Sequence, residues 1–166
     1  MMAPLHLLLR DAAVVTGTVT LWALDASLRG GSPSLARTIA GVLAGVSFAV
    51  SGFILHEWGH LAGARWTGSR VHFAQTVWTP LLFHFDVRAN TRRQFLAMSL
   101  GGYAGTALGL LALALVADAS ALSGRVAIGL TVIGVIVTLV AELPTTVRVW
   151  MGGSLPDGYA FRPPNK

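Results

Sequence analysis

From Ala36 to Ala64 the chain runs 29 residues with only two formal charges, Arg37 and Glu57. About 20 mostly apolar residues suffice for a helix to cross a bilayer. Phe95–Ala117 and Ala121–Leu143 are runs of the same kind, and the second is expected to stop at Pro144, which cannot donate to a helical ladder. A weaker run, Ala12–Leu28, is short and has Asp25 near its end. Only 11% of the residues are charged, against about a quarter in soluble domains. The mean hydropathy of +0.65 points the same way. These features predict an all-α membrane protein of about four transmembrane helices, a single domain over residues 1–166, with the lipid bilayer as its first partner.

Composition also excludes classes. There are no cysteines, hence no disulfide framework, thiolate nucleophile or cysteine metal site. The net charge of +5 comes from arginines flanking apolar runs, not from a basic and aromatic nucleic-acid surface, so no nucleic-acid partner is expected. MMAPLHLLLR lacks a charged stretch ahead of its apolar residues and is not read as a removable signal peptide. The Ala/Gly/Arg-rich, Lys-poor composition suggests a GC-rich bacterial genome, and so a bacterial inner membrane.

The loops order the helices. RGGSPS (Arg29–Ser34) separates the first two spans as a turn, and DASALSGR (Asp118–Arg125) joins the last two. With four spans, one side carries nine basic residues: Arg10, Arg65, Arg70, Arg88, Arg92, Arg93, Arg148, Arg162 and Lys166. The other carries three: Arg29, Arg37 and Arg125. The positive-inside rule then puts both termini in the cytoplasm. In the second-to-third loop, VHFAQTV and LLFHFDV alternate partly and carry β-branched and aromatic residues, which predicts a short β-hairpin or re-entrant loop. Gly41/Gly45, Gly59/Gly63 and Gly101/Gly105/Gly109 recur at four-residue spacing, a pattern that lets helix backbones approach closely within one bundle.

The chemistry concentrates in FILHEWGHLAG (Phe53–Gly63). Ionisable groups in an apolar span are costly unless something satisfies them. His56 and His60 lie one helical turn apart on one face and can offer two nitrogens to one metal. Glu57 is rotated by about 100° and can instead reach water beside that metal. This is the mechanics of H-E-x-x-H: two Zn²⁺ ligands and a general base. A catalytic zinc wants a third protein ligand. Asp157 lies in a Pro-Asp-Gly sequence, where Asp is common as a turn residue. Glu142 ends the fourth run on the same side. His72, His84 and Asp86 lie in the loop; His84 and Asp86 fit one face of a solvated strand edge, and His72 fits a structural role. Spacing leaves the third ligand open.

These residues resemble the site-2 protease family of intramembrane zinc metalloproteases. HEWGHLAGARWTG (His56–Gly68) is similar to that family's HExGHxxxAxxxG. Val71, Phe73 and Thr79-Pro80 follow in the loop. SLGGYAGTALGLLAL (Ser99–Leu113) resembles its AGPxxNxxLA segment without the proline and asparagine. Leu155-Pro156-Asp157-Gly158-Tyr159 resembles its Asp-Gly motif, whose Asp is the third zinc ligand. The resemblance spans roughly Ser51–Phe161. It implies His56, His60 and Asp157 as zinc ligands and Glu57 as general base. Glu142, standing where the family often has an asparagine, is the alternative ligand or a substrate contact. The implied activity is zinc-dependent hydrolysis of a peptide bond in a membrane-embedded protein or peptide near the cytoplasmic face. The alternative is a non-proteolytic scaffold of the same fold that binds zinc or a partner. A di-iron membrane hydroxylase needs more histidines than these five. Substrate identity and oligomeric state are not legible.

Overall fold

A computed structural model describes residues 4–157. It has four long helices and one small hairpin: α1 (Leu5–Leu28), α2 (Leu35–Trp66), β1 (Val71–Phe73), β2 (Phe83–Phe85), α3 (Arg92–Val116) and α4 (Leu122–Trp150). All four helices are long and apolar enough to cross a membrane. The chain is thus an all-α membrane architecture with a two-stranded antiparallel hairpin between α2 and α3.

Two helices differ from the expectation. α1 starts at Leu5 rather than Ala12. Its early charges do not end it, because they are partnered: Arg10 Nε donates to Asp11 Oδ1 at 2.7 Å, and Arg10 Nη1 to the Thr79 carbonyl at 2.8 Å. α4 does not stop at Pro144 but runs on to Trp150. Proline removes one N–H and strands the carbonyl four residues earlier. Leaving the helix in an apolar span would strand several more, so the helix continues.

α2 is the hub and packs against the other three helices. Its contact with α3 is backbone to backbone. A Cβ on Gly59 or Gly63 would overlap the carbonyls of Gly101 or Ala97, and one on Gly101 would overlap the carbonyl of Gly59. The small-residue spacing therefore serves packing within the bundle. Ser34 caps α2, and Thr91 with Gln94 forms a capping box on α3. In the α3–α4 turn, the hydroxyl and N–H of Ser120 donate to Asp118 and hold its carboxyl below the usual carboxylate range.

The hairpin packs under the ends of α2 and α3. Phe73, Leu82, Phe83 and Phe85 join Leu61, Phe95 and Met98 in the buried core. The Asn90 side chain pins the hairpin's base, accepting from Arg70 N–H and donating to the carbonyls of Arg70 and Asp86. His72 pairs with His84 in register. His84 and Asp86 are 4% and 8% exposed, so they form no solvated edge. His72 Nε2 instead lies 3.4 Å from Asp86 Oδ2.

Candidate metal centre

His56 and His60 face inward from the C-terminal half of α2, towards α3 and α4. Their ring nitrogens have distinct surroundings. His56 Nδ1 lies 3.0 Å from the Gly102 carbonyl and 2.9 Å from Thr106 Oγ1. His60 Nδ1 lies 3.0 Å from the Met98 carbonyl. A carbonyl only accepts, so each Nδ1 carries the proton and donates. In the neutral ring each Nε2 is then the lone pair that can act as a ligand. The two Nε2 atoms lie 2.9 Å apart. Glu142 of α4 joins them, Oε1 at 3.1 Å from His56 Nε2 and Oε2 at 3.4 Å from His60 Nε2.

Three potential ligand atoms thus converge, a set that a metal cation satisfies, as does a proton shared between an imidazole and Glu142. Nitrogen and oxygen ligands at about 2.0–2.1 Å around a tetrahedral ion stand about 3.3 Å apart. The separations of 2.9, 3.1 and 3.4 Å are close to that. The His56–His60–Glu142 group can hold a metal ion. Locking Nδ1–H on backbone carbonyls is how metal-binding histidines are commonly oriented.

The close α2–α3 packing creates this arrangement. The carbonyls of Gly102 and Met98 reach the rings only because α3 approaches α2 across glycines. A Cβ on Gly102 would overlap the His60 ring. On the other side, α4 brings Glu142 from 86 residues away.

Glu57 points elsewhere, as its rotation on the helix requires. It is 8% exposed, and its Oε2 accepts from the Leu82 N–H at 2.8 Å. It lines a cavity of about 250 Å³ with His60, Ser99, Glu142, Phe83 and Phe85. Two carboxylates, the His60 imidazole and an apolar wall thus share one space. Trp58, between the ligands, turns away and donates its indole N–H to buried Asp11 of α1 at 2.8 Å.

Asp157 lies beyond α4, exposed and outside the His56–His60–Glu142 group. Its sequence neighbours Gly158 and Tyr159, the end of the resemblance at Phe161, and Arg162 and Lys166 of the charge tally lie outside the described residues. His72, His84 and Asp86 stay on the hairpin and do not join the group. The supporting contacts from Gly102, Met98, Thr106 and Leu82 were not legible. Of these only Thr106 left a signal, as one of three hydroxyls, with Ser99 and Tyr103, on an apolar helix.

Comparison with protein-family models, with curated proteins and with solved structures finds no match to this chain. The chemistry of the donor set carries the functional conclusion.

Proposed function

We propose that the chain is a zinc-dependent intramembrane protease, with its site towards the cytoplasmic side of a bacterial inner membrane. The observation that carries this is the pair of Nε2 atoms meeting Glu142 within ligand distance of one another, with a second, separate carboxylate, Glu57, in the adjoining cavity. His56, His60 and Glu142 would hold the ion. Bound zinc supplies a Lewis acid that polarises the scissile carbonyl and acidifies water. Glu57 accepts the proton of the attacking water and passes it to the leaving amine. Its hydrogen bond from Leu82 fixes one oxygen and leaves the other for that task.

The hairpin supplies a place for the substrate backbone. The bonds from Ala74 N–H to the Leu82 carbonyl and from Asp86 N–H to the Arg70 carbonyl set the ladder's phase. With His72 opposite His84, Phe83 and Phe85 therefore turn their N–H and C=O groups away from β1. Neither residue makes a backbone hydrogen bond on that edge among the described residues, and both line the Glu57 cavity. An unwound substrate segment would add there as a strand once the cavity opens, since Phe83 and Phe85 are buried. A helical substrate must unwind first, since its carbonyls are otherwise bonded.

The test is hydrolysis of quenched, unstructured peptides by zinc-loaded protein in detergent. Wild type cleaves; Glu57→Gln keeps zinc and loses cleavage by roughly a hundredfold or more, the range of a lost general base. Retained cleavage in Glu57→Gln would overturn the general-base role. Equal peptide binding by both proteins with cleavage by neither would favour the non-proteolytic scaffold.

A further inference from the structure

The bundle has a second built feature at its far end. A cavity of about 270 Å³ lies where α1 ends and α2 and α4 begin. Arg29, Arg37 and Arg125 line it, with the hydroxyl-bearing Ser34, Thr38 and Ser120. These are the only three basic residues the topology assigns to that end, and all three converge on one space.

Their charges are not equally engaged. Arg29 donates to buried Asp25 Oδ2 through Nε at 2.9 Å and Nη2 at 2.7 Å, and Asp25 also accepts from Ser123. That carboxylate, which lines the cavity too, is thus already taken. The Arg37 guanidinium makes one bond, to the Gly31 carbonyl at 3.2 Å. Arg125 is exposed, and its guanidinium makes no hydrogen bond or ion pair to protein among the described residues. The lining carries three positive charges against the one of Asp25, and Asp118 just outside it pairs with Arg29 at 3.6 Å, which leaves Arg37 and Arg125 as the excess.

Placement makes the excess costlier. Arg37 is the third residue of α2 and Arg125 the fourth of α4. Helix N-termini are the positive ends of the helix dipole and disfavour cations. Neither helix has an acidic residue in its first turn to offset this. An anion between the two helix starts relieves both dipoles and both guanidinium groups at once.

Depth selects the kind of anion. The cavity sits at the ends of the spanning helices, beside Leu35 and Ile39, which are 76% and 49% exposed. We propose that it is a phospholipid site: the phosphodiester of an anionic lipid sits between Arg37 and Arg125, with its acyl chains along the apolar outer face of α2. Guanidinium groups match phosphate oxygens in charge and geometry.

The test is native mass spectrometry of the delipidated protein in detergent, titrated with phosphatidylglycerol. Wild type retains one lipid tightly. Arg37→Gln/Arg125→Gln weakens that binding roughly tenfold or more, as expected for two lost charge-assisted contacts. Arg88→Gln/Arg93→Gln removes the same charge from the other end and leaves the binding unchanged. Melting of the lipid-free proteins, unchanged across the set, shows that each variant folds. Equal lipid binding by wild type and the Arg37/Arg125 variant would overturn the site. Full displacement of the lipid by excess inorganic phosphate would overturn the lipid assignment and leave a free-anion site.

Discussion

At the scale of single residues, the centre depends on which nitrogen carries a proton. The carbonyls of Gly102 and Met98 place the proton of each ring on Nδ1 and point each Nε2 at Glu142. Gly102→Ala is therefore predicted to drive the His60 ring out of place, since the new Cβ would overlap it. Zinc affinity, read by competition with a chromophoric chelator, should fall at least as far as for an outer-shell loss, about 10- to 100-fold. Thr106→Val should cost less, about tenfold at most, because the Gly102 carbonyl still holds His56 Nδ1. Equal affinity in Gly102→Ala and wild type would refute this account of the ring's placement. His56, Glu57 and His60 were legible because a helix fixes their relation within one turn. Glu142 stood only as an alternative. Its approach depends on which face α4 turns towards α2, and a helix as uniformly apolar as α4 does not advertise its inner face.

At the scale of elements, the α2–α3 contact is the most constrained. Gly63→Ala would push a methyl into the Ala97 carbonyl, which is backbone and cannot swing aside. Overpacking of this kind costs about 1–3 kcal/mol. Gly52, on the same helix, has nothing within 4 Å of an added Cβ, so Gly52→Ala should be neutral or slightly stabilising. Thermal unfolding in detergent distinguishes the two; equal melting would mean that α2 and α3 are not packed backbone to backbone. The apolar runs and the glycine spacing made four helices and their close contact legible, and the alternation in VHF and FHF did the same for the hairpin. Helix ends were less so. Arg10 and Asp11 look like a boundary until their partners on the hairpin loop and α2 are known. Pro144 looks like a stop until the membrane's penalty for freed carbonyls is weighed.

At the scale of the whole molecule, α1 ties the site's surroundings together. Asp11 holds Trp58 beside the ligands, and Arg10 holds the loop carbonyls of Thr79 and Val77 just before the Leu82 that binds Glu57. Asp11→Ala leaves the Trp58 N–H without its acceptor, at a cost of about 1–3 kcal/mol. It also frees Arg10 from its ion pair. Lower melting and faster proteolysis within residues 75–80 are predicted; an unchanged cleavage rate there would show that α1 does not restrain the loop. The bonds from α1 to α2 and to the hairpin loop were not visible in the sequence, because those partners are 47 to 69 residues apart and carry no spacing signal.

The central claim is that His56, His60 and Glu142 form one metal site. Its most direct test is elemental analysis of zinc per chain in protein purified without chelators, for wild type, Glu142→Gln and Asp157→Ala. The prediction is one zinc per wild-type chain, lost in Glu142→Gln and kept in Asp157→Ala. Zinc kept by Glu142→Gln and lost from Asp157→Ala, or absent from wild type, would contradict it.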